Sequence, residues 1–273
     1  MLRNRLLTAL VLIPLVVAGV LLAPSDVLAI VFGLFVLLGG REMGRLGGLH
    51  GLLAQGIYAL CLGVLLLAAY VATAPAAETW MQALAALFWL LATVLLLGWR
   101  SELGLVQGVR PLMLIVGMGQ LIVAWLSVIG LHRSGPHGPA LLLFLLVLIW
   151  TADSAAYFAG RAWGRHKLSP RVSPGKTWEG AAGAMAGAVV CALALWQLQL
   201  TTLPLAALIG LCLLTATLSI GGDLWESLLK RQAGLKDSGA LLPGHGGVLD
   251  RIDSLIAAAP VFALGLHLLG GRT

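Results

Sequence analysis

The sequence predicts an all-α, polytopic integral membrane protein with about nine transmembrane helices and a cytoplasmic N-terminus. Three features predict this: an apolar composition, long apolar runs and a one-sided distribution of cations. Of the 273 residues, 60% are hydrophobic and only 10% are charged, whereas soluble domains carry about 25% charged residues. So few charges could not cover the surface of a water-soluble protein, and we expect most of the surface to face lipid.

The apolar runs define the predicted spans. A helix needs roughly 20 mostly apolar residues to cross a bilayer. Nine runs meet or approach this length, at 6–23, 26–40, 51–73, 79–99, 111–131, 139–159, 179–199, 203–229 and 249–269. The second is short, and the eighth is long enough to continue past the membrane face.

The runs leave no room for a soluble domain. We predict five spans in an N-terminal region, 1–135, and four in a catalytic region, 136–273, with two cytoplasmic active-site loops. The first run follows Arg3 and Arg5. It is longer than the apolar core of a signal peptide, about 7–15 residues, so we interpret it as an uncleaved span.

The basic residues predict the orientation. If the nine runs alternate across the membrane, fifteen Lys and Arg residues fall on one side and only Arg133 and Arg272 on the other. Cytoplasmic loops carry such an excess, so the N-terminus and the basic loops should face the cytoplasm of a bacterial-type inner membrane. Orientation, anionic headgroups and substrate phosphates account for the net charge of +6. The sequence contains no nucleic-acid-binding module, and we expect no nucleic-acid partner.

The acidic residues are concentrated in the second half, with seven of the eleven between Asp153 and Asp253. Asp153, Asp223 and Glu226 lie near the ends of predicted spans. Ionisable groups at membrane depth are costly and usually face a polar cavity. The alternative for each is an interfacial carboxylate that reaches water, and Glu226 can also pair with Lys230, four residues further along a helix.

The segment 227–253, SLLKRQAGLKDSGALLPGHGGVLDRID, combines four cations, three carboxylates and one imidazole with five glycines. Asp250 and Asp253 share one face of the helix that follows, where capping is the simpler role. Carboxylates beside basic groups also suit Mg²⁺, which is usually held by one or two carboxylates together with substrate phosphates. Asp223 and Asp250 come from helices on either side of this segment, and we predict that they are the metal ligands.

The loop before the seventh run contains the segment SPGKTWEG at 173–180. The free N–H groups at the start of the seventh helix form an anion site there. Gly175-Lys176-Thr177 resembles the end of a Walker A loop. However, Pro170 stands where the first glycine should be and no strand is expected before it, so we exclude a P-loop.

The segment 227–253 resembles the signature of the phosphatidate cytidylyltransferases, or CDP-diacylglycerol synthases. The matching residues are Ser227, Lys230-Arg231, Lys236-Asp237, His245-Gly246-Gly247 and Asp250-Arg251-Ile252-Asp253. The segment 173–180 and the multi-span layout are also similar to that family. The resemblance implies metal-dependent transfer of CMP from CTP to phosphatidic acid, forming CDP-diacylglycerol and pyrophosphate. It implies Mg²⁺ at Asp223 and Asp250, allows a monovalent cation such as K⁺ beside it, and suggests a homodimer.

The predicted site has two groups of residues. Those assigned to catalysis are Asp223, Lys230, Arg231, Lys236, Asp237, His245, Asp250, Arg251 and Asp253. Those assigned to CTP or its phosphates are Lys167, Ser173, Lys176, Thr177, Glu179, Gly246 and Gly247. The individual roles of Asp237, His245 and Asp253, as orienting groups or proton acceptors, stay open.

Three other classes of function are alternatives to this one. A transporter would place charges along the spans near the midplane, whereas these lie at the cytoplasmic ends. A CDP-alcohol phosphotransferase requires an Asp-Gly and Ala-Arg pattern that the sequence lacks. A lipid kinase, or a cytidylyltransferase for another lipid acceptor, remains an alternative.

Overall fold

The computed structural model describes residues 13–98, 104, 108–239, 241 and 246–270, and over these the protein is a helical bundle with one small β-hairpin. The nine helices found in these residues are α1 (Ile13–Leu22), α2 (Ser25–Leu46), α3 (Leu52–Ala72), α4 (Pro75–Gly98), α5 (Pro111–His132), α6 (Gly138–Trp163), α7 (Trp178–Leu198), α8 (Leu205–Gln232) and α9 (Leu249–Leu268). Two strands, β1 (Lys167–Ser169) and β2 (Ser173–Thr177), join α6 to α7. Helices α2 to α9 are long and apolar enough to cross a membrane, which confirms the all-α, polytopic fold class, and the orientation stays a prediction.

One predicted boundary needs correction, whereas most runs coincide with a helix. The second run, 26–40, is part of a 22-residue helix that ends at Leu46. Arg41 and Arg45, which lie beyond the end of the predicted run, therefore belong to the last turns of α2. Hydropathy falls there because the residues become polar, but the helical hydrogen bonds continue. Of the first run, 6–23, only the part from Ile13 onward lies within the described residues.

Prolines and glycines mark the ends of the helices. Pro75 and Pro111 are the first residues of α4 and α5, where the missing N–H of proline costs no helical hydrogen bond. In the turn between α2 and α3, Gly48 and Gly51 have φ values of +85° and +84°, which other residues rarely adopt. These residues produce a sharp reversal and allow consecutive helices to lie side by side.

Helices α2 and α5 are antiparallel, and their contacts define the two ends of the bundle. At one end, Ser25 Oγ lies 2.8 Å from His132 Nδ1. At the other end, the N–H of Arg110 donates to the carbonyl of Gly47 at 2.9 Å, and the Arg110 guanidinium donates to Gln232 of α8 at 2.9 Å. We call this second end, where α2 and α8 end and α5 and α9 begin, the charged end.

Helix α9 occupies the centre of the bundle, packing against α2, α4, α5, α6 and α8. It therefore contacts helices of both predicted regions, 1–135 and 136–273. Small residues allow close approach: a Cβ at Gly222 of α8 would lie 2.7 Å from the backbone oxygen of Asp253. In contrast, α3 buries only Tyr58, Leu62 and Leu66, so most of its apolar surface suits contact with lipid.

The Gly183-x-x-x-Gly187 pattern of α7 is used within the chain. A Cβ at Gly183 would lie 2.7 Å from the carbonyl oxygen of Ala155 on α6, and one at Gly187 would lie 3.3 Å from the Thr151 side chain. The pattern therefore brings α7 against α6 and is not available to join two copies of the chain.

Candidate active site

The β-hairpin carries the segment 173–180 to the end of α8. Lys167 pairs with Thr177, and Ser169 pairs with Ser173, in an antiparallel ladder. Leu168 and Val172 anchor the hairpin in a small apolar cluster with Leu96 and with Leu224 of α8. The expectation that no strand precedes Lys176 was wrong: strands of three and five residues that contain serine, proline and glycine are too short to show an alternating pattern. The antiparallel hairpin still differs from the strand–loop–helix of a P-loop.

Lys176 and Asp223 form the first ion pair of the site. Lys176 Nζ lies 2.7 Å from Asp223 Oδ2, and Ser227 Oγ donates to the other carboxylate oxygen at 3.3 Å. Both charged side chains are partly open to solvent, with 24% and 35% of their surfaces exposed. The charges of Asp223 and Lys176 also act on Asp153 of α6. A ligand can therefore reach the Lys176–Asp223 pair, and Asp153 is a further charged group that interacts with it.

Lys230 is the cation of a second, more buried cluster. Its Nζ lies 2.7 Å from Glu226 Oε2 and 2.6 Å from Asp250 Oδ1. The predicted pairing of Glu226 with Lys230 along the helix is confirmed, and Asp250 extends it to α9. Asp250 Oδ2 accepts hydrogen bonds from the N–H groups of Ser238 at 3.1 Å and Gly247 at 2.7 Å. Asp250, at the start of α9, is therefore linked to α8 and to both flanks of the loop between the two helices.

Gly246 is required beside Asp250 for two reasons. Its φ is +82°, and a Cβ there would lie 2.7 Å from Asp250 Oδ2. Any other residue would be strained and would push against the carboxylate. The glycines of the predicted segment therefore allow the backbone to approach Asp250 closely.

Asp253 lies between the two ion-pair clusters. Its Oδ1 accepts the N–H of Ser254 at 2.7 Å, and the charges of Asp223 and Lys176 act on it from α8 and the hairpin. Glu226 of the second cluster also interacts with it. Among the described residues no hydrogen bond or ion pair joins Asp223 directly to Asp250, since each carboxylate holds its own lysine. Their sharing of one metal ion stays a prediction.

A small cavity extends inward behind Glu226 and Asp253, with a volume of about 20 Å³. Trp89 of α4 and Gln120 of α5 line it, and a space of this size can hold about one water molecule. Trp89 Nε1, Gln120 Oε1 and Glu226 Oε1 are buried without a partner among the described residues. The polar site therefore continues below the surface of the charged end.

The remaining predicted residues are distributed around this centre. Lys167, Arg231, Lys236, Asp237 and Arg251 are exposed, and Arg231 donates to the carbonyl of Leu235 at 3.3 Å. His245 lies outside the described residues.

Thr177 and Glu179 are engaged in local contacts at the start of α7. Thr177 Oγ1 accepts the N–H of Gly180 at 3.1 Å and so caps α7. The Glu179 carboxylate lies 2.6 Å from His166 Nδ1. Ser173 is half-buried in β2, on the strand that also carries Lys176.

Glu42 is a site residue that sequence reasoning missed. It lies in the last turns of α2, and its carboxylate accepts hydrogen bonds from Ser238 and from the start of α9. The available signal was weak: a lone carboxylate between Arg41 and Arg45 in a half of the chain with few acidic residues. Only the tertiary contact distinguishes it from a solvated interfacial group.

The charged end thus combines cations, carboxylates and closely packed glycine backbone. The model of the cytidylyltransferase family matches residues 3–269. The chain belongs to this family. The resemblance inferred from 227–253 is confirmed, and this member of the cytidylyltransferase family is a multi-pass membrane nucleotidyltransferase.

Two relatives in the cytidylyltransferase family match along nearly the whole chain, and a third matches along about half of it. The phosphatidate cytidylyltransferase of Pseudomonas aeruginosa is 43% identical over 272 residues, covering 99% of this chain and 98% of that protein. That of Haemophilus influenzae is 37% identical over 281 residues, covering 96% and 98%. That of Bacillus subtilis is 40% identical over 132 residues, covering 48% and 49%.

Proposed function

We propose that this chain transfers CMP from CTP to phosphatidic acid, at the cytoplasmic face of a bacterial inner membrane. The observation that carries the proposal is the gathering of Lys176, Lys230 and their carboxylate partners at one end of a bundle of membrane-length helices. A water-soluble nucleotide and a lipid phosphate can react only where both phases reach one site. The names of the full-length relatives support this acceptor, and the excess of basic residues supports this face.

In the proposed reaction a phosphate oxygen of phosphatidic acid attacks the α-phosphorus of CTP. A new P–O bond forms to the α-phosphorus, the bond from the α-phosphorus to the bridging oxygen breaks, and pyrophosphate leaves with that oxygen. The attacking oxygen is already anionic, so no covalent enzyme intermediate is needed. Positioning and charge neutralisation should therefore provide most of the rate enhancement.

Asp223 and Asp250 are the proposed Mg²⁺ ligands, and the surrounding charge suits a cation. Five carboxylates lie in or beside the two clusters and face two lysines, a formal surplus of three negative charges. They are Asp153, Asp223, Glu226, Asp250 and Asp253, against Lys176 and Lys230. No three acidic, imidazole or thiol groups of the described residues converge on one point. This arrangement suits Mg²⁺, which takes one or two carboxylates plus substrate phosphates. Bound there, Mg²⁺ would neutralise triphosphate charge, and K⁺ beside it would reduce the same surplus.

The chain's own cations are placed to receive phosphates. Lys176 is partly exposed at the start of α7, so it can exchange Asp223 for a nucleotide oxygen beside the free N–H groups of that helix. Lys230 forms an ion pair with Asp250 and so fixes the position of that carboxylate. Arg231 and Lys236 are exposed on the loop flank, where they would bind pyrophosphate or the lipid phosphate.

The position of the radiolabel in CTP tests the reaction. Purified protein in mixed micelles receives phosphatidic acid, Mg²⁺ and CTP labelled at either the α- or the γ-phosphorus. We expect the α-label in the lipid extract and the γ-label in pyrophosphate. A lipid kinase would place the γ-label in lipid, and a CDP-alcohol phosphotransferase would consume CDP-diacylglycerol instead of CTP. Absence of the α-label from lipid, with the protein folded, would contradict the proposal.

Two further arms test the site and its orientation. Asp250→Asn should abolish transfer while the protein remains folded, because it weakens the contact with Lys230 and the proposed metal ligand. Near-wild-type transfer would refute that assignment. In sealed inverted vesicles the enzyme should use CTP added outside, whereas in right-side-out vesicles it should not. The reverse result would overturn the cytoplasmic placement.

A further inference from the structure

We propose that Glu42 is a positioning residue that closes the base of the loop between α8 and α9 and thereby holds Asp250 against Lys230. This rests on the proposed function, because it gives Glu42 a part in turnover at that site. Glu42 belongs to α2, in the other half of the chain.

The Glu42 carboxylate accepts hydrogen bonds from both flanks of the loop between α8 and α9. Its Oε2 accepts from Ser238 Oγ at 2.8 Å and from the N–H of Leu249 at 2.8 Å. Its Oε1 accepts from the N–H of Val248 at 3.1 Å. Hydrogen bonds to an ionised carboxylate are roughly twice as strong as those between neutral groups. One side chain therefore joins the last turns of α2 to the stretch after α8 and to the start of α9.

The start of α9 explains why an acceptor from another helix is needed. The residue before the helix is Val248, which makes no side-chain cap and has no polar group that could do so. The first N–H groups of a helix have no intrahelical partners. Glu42 provides the missing acceptor, and its negative charge also suits the positive end of the α9 dipole.

Glu42 and Asp250 hold the same two stretches of backbone. Ser238 donates its hydroxyl to Glu42 and its N–H to Asp250. On the other flank, Gly247 donates to Asp250 and the next residue, Val248, donates to Glu42. Loss of the Glu42 contacts would therefore free both donors that orient Asp250 Oδ2. The fit is tight, because a Cβ at Gly247 would collide with the Glu42 carboxylate.

The test substitution is Glu42→Gln, which keeps the shape but presents an amide NH₂ to backbone N–H groups. We expect kcat per folded molecule to fall about 10- to 100-fold, since small misplacements of reacting groups cost this much. Amide exchange in peptides covering 246–250 should become faster. The matched control is Glu78→Gln at the opposite end, where Glu78 accepts from Gln82 at 3.0 Å. It should change kcat by no more than about twofold.

A second substitution keeps the test decisive if Glu42→Gln does not fold. Ser238→Ala removes one Glu42 hydrogen bond without altering charge, and should lower kcat and speed exchange to a smaller extent. The double variant should lose less than the sum of the two single effects on log kcat, because both remove the same bond. Wild-type kcat in the folded variants, or a fall in kcat with unchanged exchange, would overturn the inference.

The two proposals fail in different ways. If the wild-type protein shows no phosphatidate-dependent transfer from CTP, the proposed function fails. Exchange in 246–250 then still reports whether Glu42 holds the loop, and unchanged exchange in Glu42→Gln and Ser238→Ala would overturn the inference independently.

Discussion

Replacing Lys230 by methionine is expected to destabilise the protein by about 3–5 kcal/mol, the cost of leaving buried ionic partners without their counter-charge. Lys230 Nζ lies within 2.7 Å of both Glu226 and Asp250. The three side chains are only 11%, 4% and 8% exposed, respectively, so water and salt screen them little. Methionine retains most of the side-chain volume, and the effect should therefore come mainly from the lost charge.

This magnitude distinguishes a buried ionic cluster from a surface ion pair. An exposed pair would contribute only about 0–1 kcal/mol. On the scale of about 2–4 °C per kcal/mol for proteins of 150–250 residues, the expected fall in Tm is roughly 6–20 °C. Adding Glu226→Gln should restore part of the stability, because one of the two unpaired carboxylates is then removed. It should not restore CTP turnover, since Asp250 still lacks its cation.

Thermal unfolding in detergent measures this directly. A thiol-reactive fluorophore reports unfolding through Cys191 and Cys212, which are buried, above a constant background from the exposed Cys61. Lys236→Met, at an exposed lysine, is the control and should alter stability by no more than about 0.5 kcal/mol. A Lys230→Met protein as stable as this control, or a double variant less stable than Lys230→Met, would refute the buried-cluster reasoning.

Two further predictions concern the first ion pair and the packing of α8 on α9. Asp223→Asn should lower CTP turnover at least about 100-fold, because it removes the partner of Lys176 and a proposed metal ligand. The control Asp26→Asn, at the opposite end, should change turnover by no more than about twofold. Equal effects of the two substitutions on turnover would contradict the site assignment. Gly222→Ala should destabilise the protein by about 1–3 kcal/mol, because its Cβ would lie 2.7 Å from a backbone oxygen of α9. Gly210→Ala, in the same helix with nothing within 4 Å of its Cβ, should leave Tm unchanged or raised, and a similar loss in both would contradict the packing argument.

The sequence was sufficient to predict the bundle because lipid imposes a simple rule on each span. A backbone that crosses the bilayer must satisfy its own hydrogen bonds, so an apolar run of sufficient length becomes a helix. The run 111–131 is the helix Pro111–His132, and the long run 203–229 is the 28-residue helix Leu205–Gln232. The residue types of 227–253 were likewise sufficient to indicate the family, and the spacing of Glu226 and Lys230 was sufficient to predict their ion pair.

The sequence was less informative where a structure depends on few residues or on distant partners. The β-hairpin at 167–177 has strands too short for a periodic pattern, and it is held by apolar contacts with α8. The extension of α2 to Leu46 follows from helical hydrogen bonds that hydropathy does not detect. These elements position Lys176 and Glu42.

The sequence by itself thus determined that the chain is a membrane-embedded helical bundle, through its apolar composition, and the resemblance of 227–253 indicated the cytidylyltransferase family. Only the tertiary structure decided that Asp223 pairs with Lys176, that Asp250 pairs with Lys230, and that Glu42 closes the loop. The physical reason is that a residue's preference for lipid or water is a local property. The partner of a carboxylate depends instead on which helix ends meet, and Glu42 meets donors 196 and 207 positions away along the chain.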